Sequence, residues 1–173
     1  MVALATHLQM MAAYNGWANR RLYGAAAALP DPAWRQPAGV FFGSLHGTLN
    51  HLLATDRIWL RRLTGEGEAP SRLDAILFEE RDALRAAREA EDARLCGYVA
   101  GLSDTDLAAS FEYATTRGQP QRQPRWQALV HLFNHQTHHR GQAHACLTRL
   151  GVAEPASLDL LVMQREQASQ RAP

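Results

Sequence analysis

The stretch RWQALVHLFNHQTHHRGQAHACLTRL, residues 125–150, has the periodicity of one long helix that ends before Gly151. Its apolar residues recur at intervals of three and four and form a single stripe: Leu129, Leu132, Phe133, Ala143, Leu147 and Leu150. The same stretch carries five of the chain's eight histidines. An amphipathic helix this rich in imidazole is either a polar face that carries histidines by chance or part of a metal site.

The chain before this stretch reads as helices separated by proline and glycine. Three further long helices are predicted, at residues 3–29, 44–65 and 71–101. Pro30 and Pro32 end the first helix, and a short helical turn can begin at Asp31. Ser44 is a typical N-cap and Gly65 a typical stop for the second helix. The stretch GEGEAPS that follows is predicted to be a loop.

The segment between the third and last long helices has a different pattern. Residues 103–107 predict a capped turn, and residues 110–124 predict a short hairpin or extended loop around Arg117 and Gly118. The tail, residues 152–173, contains the apolar patch LDLLVM. Four long helices with three connections predict an all-α four-helix bundle, formed by one domain over residues 1–173. The long third connection leaves the order of the helices around the bundle open.

Composition narrows the class of protein. The 173 residues are 46% hydrophobic, which is typical of a folded globular chain, and the net charge is +1. A protein that coats nucleic acid usually has a strong basic excess. The two cysteines, Cys96 and Cys146, are far apart and form no CxxC motif, so a reducing, cytoplasmic location is expected. No signal peptide and no membrane span is predicted.

Two of the histidines in the last helix have the spacing of metal ligands. On a helical wheel His139 lies roughly 40° and His135 roughly 80° from the centre of the apolar stripe, on the same side. Residues four apart stand one turn apart on one face, so two imidazoles can converge on one ion. Imidazole suits zinc, nickel, copper and iron, but an HxxxH pair is only half of a site. His131 and His138 lie farther from the core side.

A third ligand would come from the second helix, which offers His46 and His51. The apolar surface of this helix is broad. His46 lies roughly 80° and His51 roughly 140° from its centre, so the wheel favours His46. His7 of the first helix is a further candidate, although a single histidine near a helix start is usually exposed. Spacing therefore leaves the third ligand open.

The motif NHQTHHRGQ, residues 134–142, resembles the DinB-like family of metal-dependent proteins. Three other segments resemble the same family in the same order: YNGWANRRL at 14–22, GSLHGTLNHLLATDRIWLRRL at 43–63 and SFEYATTRGQ at 110–119. The resemblance implies a four-helix bundle that holds one metal ion with three histidines. Carried onto this chain, the ligands are His51, His135 and His139, with His46 as the alternative to His51.

Three histidine ligands would leave at least one coordination position open, as in catalytic zinc sites. The wider superfamily that the chain resembles includes thiol-dependent S-transferases and a maleylpyruvate isomerase. We therefore expect a divalent metal ion, zinc or nickel, and a metal-dependent enzyme that acts on a small electrophile with a thiol or water. The alternatives are a non-catalytic metal-binding stress-response module and, less favoured by the charge, a DNA-associated protein. A small-molecule substrate or low-molecular-weight thiol and a homodimer are the expected partners.

Several other polar residues have predicted roles. Asp56 lies near the centre of the apolar stripe of the second helix, so it needs a buried partner. Arg140 of the last helix is a candidate partner, in a pair that would fix the register of the two ligand helices; the alternative is that Asp56 reaches solvent. Gln142 could make a helix contact or touch substrate. Tyr14 and Asn19 could border the pocket or take part in ordinary helix packing. Trp17, Trp59 and Trp126 are expected in the core or the pocket wall.

Overall fold

The computed structural model describes residues 3–171. In this range it contains seven helices and a two-stranded sheet, and no helix has the length and apolarity needed to cross a bilayer. The elements are α1 (Leu4–Ala26), α2 (Asp31–Arg35), α3 (Leu45–Thr64), α4 (Arg81–Ala100), α5 (Asp104–Ala108), β1 (Ser110–Ala114), β2 (Pro120–Pro124), α6 (Arg125–Arg149) and α7 (Leu160–Arg171). The predicted all-α four-helix bundle is confirmed.

The four long helices pack in the cyclic order α1, α4, α3, α6. The main contacts are between α1 and α4, α4 and α3, α3 and α6, and α6 and α1. Helices α1 and α3 therefore lie diagonally, although they are the first two long helices in the chain. The sequence left the order of the helices around the bundle open. The observed order places α3 beside α6.

Local signals account for the limits of α3 and the hairpin. The hydroxyl of Ser44 accepts a hydrogen bond from the Gly47 N–H at 3.0 Å, as an N-cap should. Gly65 ends the helix at φ +78°, a conformation in which a side chain would be strained. The predicted hairpin is also present, because β1 and β2 pair antiparallel with Ser110 opposite Pro124.

The third long helix is shorter than predicted, since α4 begins at Arg81 and not at residue 71. The preceding residues form a loop that is tied to α3 by the buried side chain of Asn50. Its Oδ1 accepts hydrogen bonds from the N–H groups of Leu77 (2.8 Å) and Phe78 (3.0 Å). These tertiary hydrogen bonds satisfy backbone N–H groups that would otherwise bond within a helix.

A polar layer crosses the middle of the bundle. One apolar cluster lies on each side of it, and each long helix supplies apolar residues to both clusters and polar residues between them. The layer consists of Asn15, Asn19, Asp56, Arg88, Asp92, Gln136 and Arg140, all at most 7% exposed. Buried polar groups need partners, so this layer restricts how the four helices can align.

The predicted pair of Asp56 with Arg140 is wrong. Asp56 pairs with Arg88 of α4 at 2.8 Å, and Arg88 also pairs with Asp92 at 3.0 Å. Arg140 instead donates to the amide oxygens of two asparagines of α1, whose amide groups donate to Asp92. Partners across a bundle depend on which helices are neighbours, and the cyclic order places α4, with Arg88, beside α3. The outer side of α4 is solvated, and there Arg85 pairs with Glu89 at 2.9 Å.

The C-terminal segment packs against α1. Met163 of the predicted apolar patch is buried with Tyr14 and Ala18. The Tyr14 hydroxyl donates to the Leu158 carbonyl at 2.6 Å, and the Trp17 indole N–H donates to Glu166 at 2.7 Å. This segment therefore extends the bundle on the side of α1 and α6.

Candidate metal centre

Three histidines from the two adjacent helices α3 and α6 converge at one point. They are His51 of α3 with His135 and His139 of α6, and one ring nitrogen of each lies within 4.8 Å of the others. The Nε2 atoms of His51 and His135 are 3.2 Å apart. The structure therefore brings together the three residues that the family resemblance selected, and the group could hold a metal ion.

His51 lies here because α3 is covered on more sides than its apolar stripe suggests. Helices α4 and α6 pack against it, and the loops before and after it cover much of what is left. His51 is only 2% exposed, although it lies far round the wheel from the apolar centre. The wheel fails for this helix because it measures sequence polarity and not which surfaces other elements cover.

The alternative ligand, His46, has another role. Its Nε2 lies 2.9 Å from the carbonyl oxygen of Phe78, so the imidazole helps to hold the loop after α3. It is absent from the three-histidine group. His7 and His138 are exposed, and His144 contacts the Ala156 carbonyl at 3.1 Å.

Neighbouring oxygen atoms orient two of the three rings. The Nδ1 of His51 donates to the Leu73 carbonyl at 2.7 Å, because a carbonyl oxygen can only accept. The Nδ1 of His139 lies 2.8 Å from the amide oxygen of Gln142. In the neutral imidazole the other nitrogen then carries the lone pair. Metal-binding histidines typically have such outer partners, so each Nε2 is prepared to bind an ion.

The site favours neutral histidines. Burial lowers the pKa of His51 to about 4 and, with the two other histidines of the group as neighbours, that of His135 to about 3. Burial also lowers the pKa of His139, and its hydrogen bond to Gln142 opposes this effect. All three rings are therefore uncharged near neutral pH. A metal ion competes with protons for these nitrogens, so the neutral state is the one that can bind it.

The spacing of the nitrogens is compatible with a small divalent ion. Two ligands at about 2.0–2.1 Å from zinc in tetrahedral geometry are about 3.3 Å apart. The observed Nε2 separation of His51 and His135 is 3.2 Å. Without a proton or a cation between them, two lone pairs at this distance would repel each other. The group contains no carboxylate or thiolate, so three neutral ligands would leave the charge of the ion uncompensated.

The loop before α3 forms part of the wall of the site. The ring of Phe42 stacks on His51 with the centroids 3.7 Å apart, and it contacts His139 edge-on at 5.4 Å. Phe41 contacts Phe42 at 4.9 Å and is 84% exposed. Sequence reasoning missed both residues. The available signal was a pair of aromatic residues between Gly39 and Gly43. They lie in a loop, where packing in the core does not explain them.

Asn50 is another residue that sequence reasoning missed. Its side chain bonds the backbone of Leu77 and Phe78, and so it holds the loop whose Leu73 carbonyl accepts the bond from His51. An asparagine next to a candidate ligand, within an apolar helix, was the available signal. The residue supports the site through the backbone and does not touch the three rings.

The other predicted residues have mixed outcomes. Gln142 contacts His139 and not a partner helix. Tyr14 and Asn19 take part in helix packing, because they bond the C-terminal segment and Asp92. The three predicted tryptophans, Trp17, Trp59 and Trp126, are half-buried. Trp59 is the one nearest the site, with its ring 5.2 Å from that of His131.

Comparisons with known proteins show which family the chain resembles. The family model described as "DinB family" matches residues 4–171. The chain is also similar to Protein DinB of Bacillus subtilis (strain 168), with 25% identity over 144 residues that cover 81% of this chain and 84% of that protein. The match extends over nearly all of the sequence, including every element that forms the site. The chain therefore belongs to the DinB family.

Proposed function

We propose that this protein binds one divalent metal ion, zinc or nickel, through His51, His135 and His139. The observation that carries the proposal is the convergence of three ring nitrogens within 4.8 Å, from two helices far apart in sequence. The oxygen partners of His51 and His139 support it, because they leave each Nε2 free to bind. Imidazole ligands fit either metal, and availability would decide between them.

We also propose that the site is catalytic. His135 and His139 are only half-buried, so a ligand from solvent can reach the fourth position. A zinc ion with an open position lowers the pKa of bound water or of a thiol and supplies a nucleophile near neutral pH. The chain's own contribution would be to exclude water and to provide an apolar wall, through Phe41 and Phe42. A small electrophile, attacked by a low-molecular-weight thiol or by water, is the substrate class that fits.

Metal content tests the first part of the proposal. Purified protein is loaded with zinc or nickel, desalted and measured by mass spectrometry of the metal. We expect close to one equivalent in the wild type and loss of it in His51→Ala and in the double variant His135→Ala/His139→Ala. The controls are His46→Gln and the exposed His7→Ala, which should keep the metal. A wild-type protein that binds no metal, or controls that lose it equally, would refute the site.

Turnover separates the enzyme from the alternatives. Metal-loaded protein is incubated with small electrophiles and a thiol, and free thiol is followed over time. Consumption that requires both the metal and His51 would support a thiol transferase, whereas thiol-independent cleavage would support a hydrolase. If there is no turnover and chelation unfolds the protein, the metal-binding module is correct. Salt-dependent DNA binding would support the DNA-associated reading.

The homodimer and the small-molecule partner stay predictions. Sedimentation velocity of the metal-loaded protein would measure the mass in solution. A mass of twice the 19.2 kDa chain would support the dimer, and a mass of one chain at micromolar concentration would contradict it.

A further inference from the structure

A row of aromatic rings leads from the three-histidine site to the hairpin. The ring centroids are 5.9 Å apart for His135 and His131, 5.2 Å for His131 and Trp59, and 5.3 Å for Trp59 and Tyr113. We call these four residues the aromatic row. His131 is exposed and the other three are half-buried, so the row is open to a ligand from solvent. His131 has no part in the proposed metal site, and its place in this row gives it another role.

Arg62 stands at the far end of the aromatic row. Its guanidinium lies 4.7 Å from the ring centroid of Trp59 and 5.1 Å from that of Tyr113. On α3, Arg62 lies on the same face as His51, since eleven residues of helix make slightly more than three whole turns and about 16 Å of rise. The guanidinium lies over Trp59, three residues nearer the N-terminus of α3, so the side chain extends from Arg62 toward the metal site.

The charge of Arg62 has no acidic partner among residues 3–171. It takes part in no hydrogen bond and no ion pair there, and its close contacts are the two aromatic faces. Glu112 of β1 is highly exposed and faces Arg122 at 4.0 Å. The adjacent Arg61 donates to the Gly67 carbonyl at 2.9 Å. Arg62 is therefore half-buried with its donors free.

Space for a ligand exists beside this arginine. A cavity of about 400 Å³ lies between the end of α3, the following loop and β1. Arg62 and Tyr113 line it, together with a second cation, Arg61, and one carboxylate, Glu112. The cation also affects its surroundings, because burial and the charge of Arg62 together lower the pKa of His131. A cation that is partly removed from water and held between aromatic faces keeps the edge of its guanidinium available. That edge matches carboxylate and phosphate in geometry.

We propose that Arg62, stacked on Trp59 and Tyr113, forms an anion subsite that binds a carboxylate or phosphate group of the substrate or of its thiol partner. The reacting group would lie at the three histidines, and the body of the ligand would follow the aromatic row. This assigns a substrate class: small molecules with an apolar or aromatic body on the order of 10 Å long and an anionic end. The link to the metal rests on the proposed function, whereas the subsite itself does not need the metal.

The test uses metal-free protein and simple anions. Inorganic phosphate and succinate are titrated separately at constant ionic strength, and the indole N–H resonance of Trp59 is followed by NMR. The variants are Arg62→Met, which keeps length but removes charge, and the control Arg165→Met, at an exposed arginine of α7 that does not line the cavity. We expect saturable binding of at least one anion in the wild type, a dissociation constant at least tenfold higher in Arg62→Met, and an unchanged one in Arg165→Met. Whichever anion binds identifies the group.

Three results would overturn the subsite: no saturable binding of either anion, no change in Arg62→Met, or equal weakening in both variants, which would indicate general charge attraction. If Arg62→Met does not fold, Arg62→Lys decides, because it keeps the charge but loses the paired donors; at least threefold weaker binding supports the subsite and unchanged binding overturns it. Zinc uptake is measured separately, on aliquots of the same preparations that are loaded with zinc and desalted. Anion binding without zinc uptake would support the subsite and refute the metal site. Zinc uptake without anion binding would support the metal site and refute the subsite.

Discussion

Replacing Arg88 with methionine tests how the polar layer holds the bundle together. The variant keeps the apolar stem of the side chain but removes the cation that lies between Asp56 and Asp92, at 2.8 and 3.0 Å. Both carboxylates are almost fully buried, with 1% and 7% of the side chain exposed. Removing one partner of a buried ion pair costs about 3–5 kcal/mol, because the other charge stays buried without compensation. For a chain of this length, that loss lowers the melting temperature by about 10 °C.

Arg85→Met is the matched control, because Arg85 is on the same helix and also pairs with an acid four residues later. Both Arg85 and Glu89 are about half exposed, so this pair contributes at most about 0.5 kcal/mol. The assay is urea unfolding of the metal-free proteins, followed by circular dichroism. A difference between the two variants below about 1 kcal/mol would refute the reasoning, since it would mean that the layer tolerates an unpaired carboxylate.

The pH dependence of the stability difference between Arg88→Met and Arg85→Met tests whether an unpaired buried carboxylate causes it. Burial raises the pKa of Asp56 to about 6, and Arg88 opposes that rise. Without Arg88 the pKa should rise further above that of the unfolded chain. A raised carboxyl pKa stabilises the fold at low pH, and this stability is lost as pH rises through the folded value. The deficit of Arg88→Met relative to Arg85→Met should therefore be larger at pH 7.5 than at pH 5.5. A deficit independent of pH would point to lost packing instead.

Three further predictions concern the site and its support. Gln142→Ala removes the acceptor that orients His139, so zinc affinity should fall about 10- to 100-fold in a competition titration. Gln127 is exposed on the same helix, and the control Gln127→Ala should leave the zinc affinity unchanged. Asn50→Ala leaves the part-buried N–H groups of Leu77 and Phe78 without their acceptor and should destabilise the protein by about 2–3 kcal/mol. Hydrogen exchange should rise first in the loop after α3, and a uniform rise would contradict this. Zinc at about 100 times its dissociation constant should stabilise the wild type by about 2.7 kcal/mol in thermal unfolding but not His51→Ala, and equal stabilisation of both would place the ion elsewhere.

The sequence alone determined the features that depend on near neighbours in the chain. The apolar period of residues 125–150 specifies α6, and the same period places His135 and His139 on one side of it. Ser44 and Gly65 specify the ends of α3, because capping and a left-handed stop are local interactions. The hairpin before α6 follows from its own change of period. These features need no knowledge of which helices are neighbours.

The tertiary structure places His51, and not His46, in the three-histidine group. Both histidines are buried, at 5% and 2% exposure, so burial does not separate them. What separates them is which element each one faces: the loop carbonyl of Phe78 for His46, and α6 for His51. Family resemblance favoured His51 because it carries information about packing that a helical wheel lacks.

The start of α4 and the partner of Asp56 were also decided by packing. Residues 71–80 form a loop because Asn50, more than twenty residues earlier, binds their backbone. Asp56 pairs with Arg88 because the cyclic order of the helices places α4 beside α3. A helical pattern reports how strongly each face avoids water, since burial of apolar area is non-directional. Hydrogen bonds and ion pairs depend on distance and direction, so their partners are defined only once the helices are in place.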